Sequence, residues 1–88
     1  MNKTIEIAGN IYEVNLEYNI HVDDESRAGY NQARATLAVD ELPADMNPSE
    51  LLKAMIIMLK DNEPIEKHVE YLAVIETNET EYYESIND

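Results

Sequence analysis

From Tyr12 to Asp23 the chain alternates without a break. Tyr12, Val14, Leu16, Tyr18, Ile20 and Val22 fall on one side, and Glu13, Asn15, Glu17, Asn19, His21 and Asp23 on the other. A period of two over this length predicts a long strand with one buried face. Thr4 to Ala8 alternates in the same way, and Gly9-Asn10 suits the positive φ angles of a primed two-residue hairpin turn. With Ala8 opposite Ile11, that register pairs Ile7 with Tyr12 and Ile5 with Val14 on the core side. On the outer side it sets Glu6 directly across from Glu13. Opposed like charges cost a strand pair a few tenths to about 1 kcal/mol. Glu17 follows on the same face, so the hairpin reads as an acidic surface kept for a partner. The competing reading is that solvent and a cross-strand arginine relieve the repulsion.

A third strand is predicted from about Gln32 to Asp40, with Ala33, Ala35, Leu37 and Val39 inward. Its small alanines leave room for a helix across the sheet. Asn47-Pro48-Ser49-Glu50 announces that helix, with an Asn N-cap, Pro at the first helical position and Glu completing a capping box. It should end near Asp61, before Asn62-Glu63-Pro64. Leu51, Leu52, Met55, Ile56, Met58 and Leu59 form its apolar face, while Lys53, Ile57 and Lys60 share the opposite stripe. Ile57 on that wet side is a candidate self-association contact. From Val69 to Thr77 a covered strand is expected, a helix starting at Pro64 being the alternative. Asn78-Glu79-Thr80-Glu81 resembles another capping box, so residues 78–88 read as a short helix or a frayed acidic tail.

The whole is then one α+β domain over residues 1–88: an antiparallel sheet of three to four strands with one helix on one face. Cysteine is absent, which rules out disulfides and thiolate metal sites. Met1 to Thr4 leads straight into the first alternating segment, with no signal-peptide pattern, and the longest apolar run, Ala54 to Leu59, is too short to cross a bilayer. The expectation is a soluble cytoplasmic protein.

Charge changes this picture most. Six Lys and Arg against nineteen Asp and Glu leave a formal net charge of −13. Solubility alone seldom needs a magnitude above about 8 in a small domain. Such a chain is a poor ligand for nucleic acid, whose binding requires Lys and Arg to displace counterions. A basic protein surface is its natural partner. The acid is expected at Glu6, Glu13 and Glu17 on the hairpin, at Asp23, Asp24 and Glu25 in a polar loop, and at Glu76, Glu79, Glu81 and Glu84 towards the C-terminus, where no Lys or Arg follows Lys67. Tyrosine supplies every aromatic side chain. Tyr12, Tyr18 and Tyr71 are expected in the core, and Tyr82 and Tyr83, set among carboxylates, in a contact patch.

Catalytic signatures are missing. Gly9 and Gly29 cannot build a phosphate-cradling loop, Ser26, Ser49 and Ser85 lack a nucleophile-elbow setting, and His21 and His68 are not at metal-ligand spacing. The acidic loop departs from the EF-hand pattern at Arg27 and Ala28. Neither an enzyme, a metal nor a cofactor is expected.

In size and charge the chain resembles the phage-encoded acidic DNA mimics and anti-CRISPR proteins, a resemblance that covers bulk composition and length and carries no motif. It implies a small inhibitor or adaptor of host defence that acts in the host cytoplasm. Its partner would be a basic nucleic-acid-binding protein or nucleoprotein complex. The alternative is a protein-binding or homo-oligomeric structural module, a homodimer through Ile57 or a sheet edge, whose acidity serves solubility.

Overall fold

The structure is a computed structural model, and residues 1–19, 31–62 and 69–87 are described. The acidic loop at Asp23, Asp24 and Glu25 lies outside these residues, as does the expected end of the second strand. Strands β1 (Asn2–Ile7), β2 (Asn10–Asn19) and β3 (Asn31–Ala38) precede helix α1 (Pro48–Asp61), and β4 (Val69–Glu76) and β5 (Glu81–Asn87) follow it. All five strands form one sheet in sequence order, β1-β2-β3-β4-β5. The α+β class with one packed helix is as expected. Two details differ.

First, the sheet is mixed, because β3 and β4 run parallel. A strand that leaves the sheet through a helix and returns beside its starting point comes back in the same direction, whereas a tight turn reverses it. Second, residues 78–88 are neither helix nor tail, since Glu81–Asn87 is a fifth strand, antiparallel to β4. The polar run before it serves a turn and caps nothing. Thr77 Oγ1 accepts the Thr80 N–H at 2.9 Å and donates to the Thr80 carbonyl at 2.7 Å.

The hairpin register also needs correction. Ile5 faces Tyr12, Thr4 faces Glu13, and Glu6 faces Ile11, so Glu6 and Glu13 are diagonal neighbours and not an opposed pair. The turn is Ala8-Gly9, with φ of 53° and 81°, one residue earlier than the Gly9-Asn10 signal. Moving the turn by one residue slides the pairing by two, which leaves every side chain on its own face. Hydrophobic alternation cannot detect such a slip. The first strand is also held at its start, where Met1 and Leu16 exchange backbone hydrogen bonds of 2.7 and 3.1 Å.

The core lies between the sheet and α1. Val14 and Leu16 on β2, Ala33, Ala35 and Leu37 on β3, and Val69, Tyr71, Ala73 and Ile75 on β4 meet Leu51, Leu52, Met55, Ile56 and Leu59 of the helix. Ala33, Ala35 and Ala73 are fully buried, and their short side chains let the helix approach the sheet centre. Tyr12 and Tyr18 pack against this cluster. Asn47 caps α1 by accepting the Ser49 N–H at 3.0 Å, and Lys60 near the other end places its ammonium 5.4 Å from the Tyr71 ring centre. No described helix is long and apolar enough to cross a membrane.

Candidate binding surface

Because α1 covers one side of the sheet, the alternate residues of every strand stand on the other, open side. Register assembles them into cross-sheet rows. Asn2, Asn15, Thr36, Val74 and Tyr83 make one row, and Glu17, Arg34, Leu72 and Ser85 make the next. Thr4 pairs with Glu13 in β1-β2, and Ala38, Glu76 and Glu81 continue at the same level across β3, β4 and β5. Glu13 and Ala38 line one shallow hollow of about 480 Å³ together with Asn15, Glu17, Arg34 and Thr36.

This face carries Glu6, Glu13, Glu17, Glu70, Glu76 and Glu81 against a single described basic residue, Arg34. Arg34 stands opposite Glu17, as the competing reading of the hairpin expected, and its Nε donates to Thr36 Oγ1 at 3.3 Å. Glu70 is tied into the sheet, accepting from Gln32 Nε2 at 2.8 Å and from Ser85 Oγ at 3.4 Å. The other five glutamates are exposed. Lys53 and Lys60 are exposed on the outer stripe of α1 with Ile57, which is 59% exposed. Glu50 and Asp61 are exposed on the same helix, so α1 is balanced in charge while the open face is strongly acidic.

The opposed like-charge pair expected at Glu6 and Glu13 occurs instead at Glu76 and Glu81, directly across β4-β5. Both residues were read from the sequence as acidic, but their pairing was not, because it depends on a fifth strand. The two adjacent tyrosines separate. Tyr83 points to the open face and is 70% exposed, whereas Tyr82 faces the helix side and packs on the core. Glu84 shares the side of Tyr82, and Glu79 lies in the turn. Leu72, half-buried, and Val74, 5% exposed, complete an apolar strip beside Tyr83 that alternation within β4 alone did not assign to a face.

At the end of the sheet where β3 and β4 finish, the β3-α1 loop and the β4-β5 turn enclose an open cleft of about 580 Å³ lined by Asp40, Glu41, Leu42, Pro48, Glu79 and Tyr82 among others. The loop and turn are joined through the Asn78 N–H, which donates to the Asp40 carbonyl at 3.1 Å. The cleft extends the acid of the open face around the end of the sheet. Among the described residues no group of three or more His, Cys, Asp or Glu is arranged to hold a metal. Comparison with protein-family models, curated proteins and solved structures gives no match.

Proposed function

We propose that this chain is a small acidic inhibitor or adaptor that docks, through the open face of its sheet, on a basic surface of a nucleic-acid-binding protein, as phage-encoded DNA mimics and anti-CRISPR proteins do. The observation that carries the reading is the concentration of acid on the open face: six glutamates against one described basic residue, Arg34, whereas α1 balances Lys53 and Lys60 with Glu50 and Asp61. At about 3.3 Å per residue, Glu13 and Glu17 are roughly 13 Å apart along β2. With strands about 4.8 Å apart, Glu76 and Glu81 lie roughly 10 and 14 Å across the sheet from Glu13, which shares their level. Those separations bracket the major-groove width of about 12 Å. Carboxylates on the two sides would then stand where phosphates flank a groove, and Tyr83, on β5 beside Glu81, supplies a rigid aromatic anchor with a polar tip. Long-range attraction would make association fast and salt-sensitive.

The test compares wild type with E13K/E17K/E76K/E81K, first checked for its fold by circular dichroism. Each is used to capture partners from a nuclease-treated lysate of the native host. The expected result is a nucleic-acid-binding protein held by wild type alone, whose gel shift with DNA or RNA wild type abolishes. Retention by the folded variant refutes the reading, and so does a captured protein that still binds nucleic acid when saturated.

Exposure of Ile57 between Lys53 and Lys60 favours a second reading, a homo-oligomeric module. Light scattering over a hundredfold concentration range separates the two, since only the module changes mass with concentration.

A further inference from the structure

The open face has a shape as well as a charge, and its occupant follows from both. Tyr83 on β5, 70% exposed, and the half-buried Leu72 on β4 offer an apolar strip over the buried Val74, continued by Thr36 on β3. Exposed glutamates border it, with Glu13 and Glu17 on the β2 side and Glu76 and Glu81 at the end. A twisted sheet face of this width is covered in this same molecule by a helix, α1, whose apolar stripe lies over β3, β4 and β5. A second helix on the bare side would complete a three-layer arrangement. It would need an apolar stripe narrow enough for the strip and basic residues flanking it, which is charge complementarity to the glutamates around it.

We infer that the open face binds a basic amphipathic helix of the partner, its apolar stripe on Leu72, Val74 and Tyr83 and its Lys or Arg residues directed to Glu13, Glu17, Glu76 and Glu81. This rests on the reading of the chain as a ligand for basic proteins and names the element that is recognised. A helix about 10 Å across lying over β4 covers β3 to β5, and its long Lys or Arg side chains reach past Arg34 on β3 to the β2 acids about 10 Å away. At 1.5 Å per residue, basic residues seven to eight positions apart, two helical turns, reach both Glu13 and Glu17.

The probe is a fluorescein-labelled 18-residue peptide of Leu and Lys with Leu at helical spacing, set against a peptide of the same composition scrambled to abolish the stripe. Anisotropy titrations at low and moderate salt should give at least tenfold tighter binding of the amphipathic peptide. Tyr83→Ser, at an exposed position, should weaken that binding about fivefold or more and reduce the preference over the scramble. Glu17→Lys should weaken it, whereas Asp61→Lys, with the same charge change at the end of α1, should not. Amide resonances of β2, β4 and β5 should shift on binding.

Equal, salt-sensitive binding of both peptides overturns the helix inference and leaves the acidic-ligand reading standing. Absence of binding to either also overturns it. So do equal losses from Glu17→Lys and Asp61→Lys, or shifts confined to α1 or to the edge of β1.

Discussion

Glu76 and Glu81 face each other across β4 and β5, and both are exposed. If this pair is retained for binding, removing it should stabilise the fold. Directly opposed residues have Cβ atoms about 4.5–5.5 Å apart, so splayed carboxylates sit about 6 Å apart. In a medium of water-like dielectric constant two such charges repel by about 0.7 kcal/mol. Screening leaves about 0.6 kcal/mol at 0.01 M salt and about 0.3 kcal/mol at 0.15 M. Glu76→Gln and Glu81→Gln should therefore each raise stability by about 0.6 kcal/mol at low salt, or roughly 2–5 °C in melting temperature for a domain of this size. The double variant should gain no more from the pair than either single one, because one substitution already removes the repulsion. The assay is urea unfolding followed by circular dichroism for the four proteins at both salt concentrations. Strictly additive gains, or gains that do not shrink with salt, would refute the opposed pair and with it the placement of β5 on which the open face depends.

Three further outcomes follow from local structure. Ala8 adopts φ 53° at the first turn position of the β1-β2 hairpin. A left-handed alanine costs about 1–2 kcal/mol, and glycine returns about 0.4–1 kcal/mol of that as unfolded-state entropy, so Ala8→Gly should stabilise by roughly 0.5–1 kcal/mol in chemical denaturation. Asn47→Ala removes the side-chain acceptor for the Ser49 N–H and should cost about 1 kcal/mol, read as a fall of roughly 4–8 °C in melting temperature. With a net charge of −13, raising salt from 0.01 to 0.15 M should raise the melting temperature, because screening relieves more repulsion than attraction; a fall would contradict the charge placement.

The elements that the sequence made legible are those whose signal is local. The alternation through Val14 and Leu16, the capping pattern at Asn47 and the stripe of Leu51, Met55 and Leu59 each report a single strand or helix, and each is found where its pattern lies. What the pattern left out depends on pairing between segments. A two-residue slip preserves alternation, so the pairing of Thr4 with Glu13 needed the backbone of Ala8 to be known. Likewise Leu72 and Val74 are apolar on the side away from the helix, and only the parallel register with Arg34 and Thr36 shows that they form a strip within the acidic face. Tyr82 and Tyr83 looked equivalent among carboxylates. A period of two puts adjacent residues on opposite faces once the segment is a strand.

The distribution of charge bears on whether acidity serves more than solubility. A soluble surface is best served by interspersed signs, and nothing in this fold prevents that, since outward positions on β2, β4 and β5 accept Lys as readily as Glu. On α1 the signs are balanced, Lys53 and Lys60 against Glu50 and Asp61, so the chain can place basic residues on its surface. On the open face it keeps five exposed glutamates, including the opposed pair Glu76 and Glu81 beside Tyr83, which is 70% exposed. Each choice works against the stability of the isolated molecule, in a domain small enough that a few tenths of a kcal/mol count. A partner that presents positive charge around an apolar stripe offsets all of them at once. Solubility alone accounts for neither the size of the net charge nor its concentration on the open face.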